Sequence, residues 1–169
     1  MKIFIVGVKR SGKDHASEYI EEKVGLEFES SSYFAAEKFI FDELKDKYGY
    51  QTVKQCFDDR ALHRAEWFNL ICEYNREDPI RLCKEIFKSN QVYVGIRSNT
   101  ELEAAKKTWA DCLVIWIDAE GRVESEGIES CSISKDQADI VIENKLDVKE
   151  FESKLDKLCV LLRSYYGSS

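Results

Sequence analysis

Gly7-Val8-Lys9-Arg10-Ser11-Gly12-Lys13-Asp14 decides the reading of this chain; it follows the apolar-leaning run Lys2-Ile3-Phe4-Ile5-Val6 and precedes a helical pattern. Strand, glycine-rich turn and helix start is the setting in which a G-x-x-x-x-G-K loop holds phosphate. Gly7 and Gly12 let the backbone curl so that successive N–H groups face one anion. The helix start beyond Gly12 adds unpaired donors and a positive dipole end. Lys13 has the reach of a flexible point charge for β and γ phosphates. Gly7, Val8, Lys9, Arg10, Ser11, Gly12, Lys13 and Asp14 are therefore the expected ATP-binding segment. The bland alternative is an ordinary strand–turn–helix that matches by chance.

Position 14 departs from the usual spelling. A Ser or Thr hydroxyl normally follows the lysine and ligates magnesium. Asp14 offers a carboxylate instead, which is also a magnesium ligand, directly or through water. Asp14 is the expected metal residue, and ATP and Mg2+ are the expected cofactors.

Moving outward, 169 residues suit one domain with a full core. The net charge of −7 argues against general affinity for nucleic acid backbones. A small anionic substrate is compatible with it, because local arginines set the field of a pocket. None of the six cysteines forms a C-x-x-C pair and only two histidines are present, so zinc-site spacing is missing. With no signal peptide in view, the cysteines read as reduced thiols of a cytoplasmic protein. No apolar run reaches membrane-spanning length, so no membrane partner is expected.

Periodicity places helices over 13–24, 33–48, 59–75, 79–87, 98–109 and 147–165, with Gly49 as a stop and Ser98/Glu101 as a capping box. Strands are expected over 2–6, 26–29, 91–95, 112–118 and 139–144. The polar stretch 119–136 reads as a mobile loop or short helical lid. Alternating strands and helices predict an α/β fold with a parallel sheet covered by helices on both faces. Ligands of such sheets sit at the carboxyl ends of the strands. The phosphate loop, Arg97 and Asp118 occupy such ends. Arg60 and Arg64 are one turn apart on the expected 59–75 helix, leaning toward a cleft or lying as a solvated turn whose stems cover the core. Tyr33, Phe34, Trp67 and Tyr74 include candidates for stacking a base, although aromatics at this spacing also build cores.

The loop with aspartate after its lysine resembles that of bacteriophage deoxynucleoside monophosphate kinases, and animal-type phosphomevalonate kinases share the ending. The stretch from Arg64 through a tryptophan-bearing helix to Arg76 and Asp78-Pro79 is similar to a phosphomevalonate kinase segment. Gly95-Ile96-Arg97 lines up with an Asp-Thr-Arg of both families, with glycine at the aspartate position. The ending Ala138-Asp139-Ile140-Val141-Ile142-Glu143-Asn144 plus an amphipathic helix is also similar to both.

The resemblance implies a single P-loop kinase domain over 1–169, nucleoside monophosphate kinase-like, with an acceptor-binding helical region at 31–88 and a lid at 119–136. It implies transfer of the ATP γ-phosphoryl to a (deoxy)nucleoside monophosphate. Phosphomevalonate-like metabolites, hydroxymethylated DNA bases and a non-catalytic nucleotide-binding module are the alternatives. Lys13, Arg10 and Arg97 are the expected catalytic residues. Arg97 would clamp the acceptor phosphate with Arg60, Arg64 and Arg76, and Lys38 and Trp67 would line the acceptor pocket. Arg122 reads as a lid arginine or a surface one, and Asn144 as an adenine neighbour or a turn residue. The expected partner is a small-molecule nucleotide, with a homodimer left open.

Overall fold

A computed structural model describes residues 1–123 and 131–167 of the chain. Five parallel strands form one sheet: β1 (Ile3–Val6), β2 (Phe28–Ser30), β3 (Val92–Val94), β4 (Leu113–Asp118) and β5 (Ile140–Glu143), in the spatial order β2-β3-β1-β4-β5. β1 lies at the centre, pairing Ile5 with Val94 on one side and with Ile115 on the other. All four of its residues are buried, as a strand with helices over both faces requires.

Alternation along β1 sorts the core into two layers. Phe4 and Val6 pack with Ala35, Ile40, Trp67, Ile86, Leu102 and Trp116. Ile3 and Ile5 pack with Ala16, Ile20, Ile117, Phe151 and Leu155. The second layer holds α1 (Lys13–Val24) and α8 (Val148–Tyr166). The first holds α2 (Ser31–Ala35), α3 (Phe41–Tyr48), α4 (Val53–Asp59), α5 (Arg64–Tyr74), α6 (Arg81–Ile86) and α7 (Asn99–Thr108). The chain has the expected α/β architecture.

Three expectations about elements need correction. The helix read from 33 begins at Ser31, and a π-helical turn, Ala36–Ile40, joins α2 to α3. The helix read over 59–75 starts only at Arg64, and a separate short helix, α4, ends at Asp59. Thr52 caps α4, its hydroxyl accepting from Gln55 N at 3.2 Å, and the chain turns through residues 60–63 before α5 starts at Arg64. Arg60 and Arg64 therefore lie on either side of a turn and do not share one helical stripe. The expected capping box at Ser98 is half built: Ser98 Oγ accepts from Glu101 N at 3.4 Å. The Glu101 carboxylate instead enters the core, accepting from Cys83 Sγ at 3.2 Å and the Tyr93 hydroxyl at 3.1 Å.

Of the 119–136 stretch, residues 124–130 lie outside the described residues. Its near end follows β4, and its far end carries a 3-10 turn at Lys135–Gln137. All six cysteines are free thiols. Among the described residues no helix is long and apolar enough to cross a membrane.

Candidate active site

The loop between β1 and α1 has the backbone that its sequence demands. Gly7 has φ +149° and sits so close to β4 that a Cβ there would lie 2.6 Å from the Ile117 carbonyl oxygen. Gly12, at φ +101°, precedes α1 with no room for a side chain against Asn144 Nδ2. Between them Arg10 takes a left-handed conformation, φ +60°, uncommon for a residue with a Cβ. Lys13 Nζ donates to the Gly7 and Val8 carbonyls at 2.8 and 2.7 Å, which holds the ammonium over the loop. Ser11 Oγ is buried without a hydrogen-bond partner, an uncommon condition.

Two side chains brace this loop from behind. Asn144, buried just past β5, donates from Nδ2 to the Ser11 carbonyl at 2.7 Å. Arg122 donates from Nε to the Asn144 carbonyl at 2.8 Å and from Nη2 to the Arg10 and Ser11 carbonyls at 3.2 Å each. Within the loop Ser11 N donates to the Val8 carbonyl at 3.2 Å, which tightens the curl that turns neighbouring amides toward one side.

The arginines approach from the helical layer. Arg60, at the carboxyl end of α4, lies over the Phe57 ring at 3.7 Å and donates from Nη1 to the Phe57 carbonyl at 2.8 Å. Burial lowers its pKa, Asp14 and Asp58 oppose that shift, and Arg64 and Arg97 add to it. Arg60, Arg64 and Arg97 thus share an electrostatic neighbourhood with Asp14, at the first turn of the phosphate-loop helix. Trp67 packs edge-on to Phe57, the ring that carries Arg60, with centroids 6.5 Å apart, and its indole N–H is buried without a partner. Two other expected acceptor residues are held in ion pairs. Lys38 pairs with Glu85 at 3.2 Å on the π turn, and Arg76 is exposed beside Glu73 at 3.0 Å.

Asp118, at the end of β4, stands out more in the structure than in the sequence. Its side chain is 6 % exposed and binds Lys135 at 3.2 Å and Lys145 at 3.3 Å. It also accepts from Glu120 N at 3.0 Å. Burial works against its charge, but that N–H and the two lysines prevail and hold its carboxyl below the usual range. Strand-end position was its only signal; the lysines lie 17 and 27 residues further on, with no spacing to betray them. Asp118 and Lys135 border a cavity of about 320 Å³ together with Val8, Trp116, Ala119 and Val123.

No protein-family model matches the chain, and no curated protein matches it by sequence. Solved structures do match in shape. Shikimate kinase from Aquifex aeolicus superposes with a TM-score of 0.50 at 15% identity, over 98% of each chain. Shikimate kinase from Bacteroides thetaiotaomicron gives 0.50 at 14%, over 96% of this chain and 98% of the other. A sugar kinase from a Janibacter species gives 0.50 at 13%, over 95% and 93%. The fold is that of the P-loop kinases.

Within the P-loop kinase fold, the residues present suit magnesium held mainly by phosphate. Asp14 presents an exposed carboxylate at the mouth of the loop. Among the described residues no three His, Cys, Asp or Glu side chains group to hold a metal by themselves. One carboxylate plus phosphate oxygens and water is a common magnesium arrangement.

Proposed function

We propose that this chain is an ATP-dependent kinase that transfers the γ-phosphoryl group to a (deoxy)nucleoside monophosphate, giving the diphosphate. One observation carries the reading: three arginines of the helical layer and of the β3 end share a neighbourhood with the phosphate-loop helix. A protein that merely held ATP would have no use for a second set of phosphate-binding forks.

Phosphoryl transfer asks little covalent chemistry of the protein; it needs in-line placement and neutralised charge. Amides of the Lys9 to Asp14 segment hold the β-phosphate, Ser11 N keeping its bond to the Val8 carbonyl. Lys13 leaves the Gly7 and Val8 carbonyls to bridge β and γ, and Arg10 meets the transferring group. Arg97 clamps the acceptor phosphate, its guanidinium able to give two parallel bonds, with Arg60 and Arg64 beside it. Trp67 offers its buried N–H to the acceptor. Asp14 holds magnesium, which when bound spreads the charge of the β and γ oxygens. Arg122 and Asn144 serve ATP indirectly, by fixing the loop that grips it. The helices within 31–88 form the acceptor side.

The test is a panel of ribo- and deoxynucleoside monophosphates with ATP and magnesium, read by product chromatography. At least one should yield its diphosphate. Lys13→Ala should lower kcat by about 10²–10³ while the protein stays folded. ATP hydrolysis at a rate indifferent to every acceptor would overturn the reading.

A further inference from the structure

The cavity beside the phosphate loop lies on the acceptor side of the sheet. Val8 and Trp116 pack with the same layer as Trp67 and the helices that carry the arginines. Its walls are apolar where Val8, Trp116, Ala119 and Val123 line it. Its polar part is the Lys135 ammonium between two carboxylates, Asp118 at 3.2 Å and the more exposed Glu120 at 3.7 Å. A volume of about 320 Å³ is at the lower end of small-ligand sites, and apolar walls with a few fixed polar groups are their usual make-up.

The cavity is also tied to the expected phosphate clamp. Ser132 N donates to the Arg97 carbonyl at 2.9 Å, and Asn99 N donates to Ser132 Oγ at 2.9 Å. From Ser132 the chain runs three residues to Lys135, a reach of at most about 10 Å. That is comparable to the length of a nucleoside monophosphate. The Arg97 backbone and Lys135 are thus tied within about one nucleotide length, which suits a molecule with its phosphate toward Arg97 and its ring against Trp116. A flat ring meets the indole and the aliphatic walls, and a ring edge with both donors and acceptors meets Asp118 and Lys135. An acyclic metabolite would leave the indole wall bare and the ion pair unread.

We propose that this cavity receives the heterocyclic base of the acceptor, Trp116 and Val8 lying against the ring and Lys135 and Asp118 at its hydrogen-bonding edge. The assignment rests on the nucleoside monophosphate kinase reading and extends it. The acceptor helices then supply phosphate binding, while residues 118–123 and 131–135 supply choice of base.

The test compares the preferred nucleoside monophosphate with ribose 5-phosphate, which keeps the sugar phosphate and lacks the base. Val123→Phe fills the cavity, and Lys135→Met removes the ammonium at little cost in volume. The unmodified protein should favour the nucleotide by about 100-fold in kcat/KM. Val123→Phe should cut nucleotide kcat/KM by about tenfold or more, leave ribose 5-phosphate within about twofold, and keep the calorimetric affinity for ATP. Lys135→Met should reorder the preference among the four bases. A folded Val123→Phe protein with the original ratio of the two substrates overturns the base site and spares the kinase reading. If Val123→Phe does not fold, an unchanged base ranking in Lys135→Met overturns it instead. No turnover of any nucleoside monophosphate by the unmodified protein sinks both.

Discussion

Glu101 is a carboxyl in the wrong place for its capping motif, and the consequence is measurable. Burial pushes its pKa up from 4.5 to about 7, although Cys83 and Tyr93 donate to it and pull the other way. The folded protein therefore holds this proton where the unfolded chain has lost it. Its contribution to stability is complete below about 4.5 and fades as pH rises through about 7. The fade amounts to on the order of 2–3 kcal/mol. Glu101→Gln should flatten this slope and make the protein the more stable form at pH 8, read as urea midpoints at pH 5 and pH 8. At the same scale, Arg97→Ala should raise the KM of the acceptor by about tenfold or more and that of ATP far less. An equal rise for both would reject the acceptor role. The backbone of the Gly7–Asp14 motif was legible at its two glycines, because positive φ is a local demand, whereas the left-handed Arg10 between them was not. The buried side chain of Glu101 was not legible, because Ser98-x-x-Glu101 spells a surface cap and only the tertiary partners Cys83 and Tyr93 say otherwise.

Among elements, α4 shows what periodicity passes over. Val53, Cys56 and Phe57 are spaced for one helical face behind the cap residue Thr52, yet at seven residues the helix is too short to stand out. It matters because it ends at Arg60, so its position sets where that guanidinium lies. Thr52→Ala should cost about 1 kcal/mol of stability and raise the acceptor KM without altering that of ATP; thermal melts and initial rates would show both. The π turn at Ala36–Ile40 was equally hidden, since one extra residue in a turn shifts the apolar period too little to see. The strands of the central sheet were easier. β1 and β4 are apolar on both faces, and such short runs bounded by polar turns have few other readings.

For the whole molecule, the alternation of strands and helices made the layered sheet readable, and the strand-end rule pointed to the edge where the Gly7–Asp14 loop, Arg97 and Asp118 lie. How distant segments meet behind the phosphate loop was outside the reach of either. Asn144 carries no motif beyond its place after a strand, and Arg122 lies in a polar stretch that offers no pattern; their contacts exist only once β4 pairs with β1 and β5 with β4. Asn144→Ala should weaken ATP binding by about tenfold, the cost of freeing the Ser11 carbonyl and unpinning the loop. Calorimetry on a variant with an unchanged melting temperature would check it, and unaltered affinity would mean that Arg122 suffices.

The anion grip is spelled within the first fourteen residues, but its shape is imposed by Ile117, Arg122, Asn144 and Phe151. During synthesis the motif emerges well before Asn144 and stays slack until β5 has left the ribosome and docked. A nascent chain halted before Asn144 should therefore fail to retain triphosphate on an affinity resin, while the released full-length product retains it.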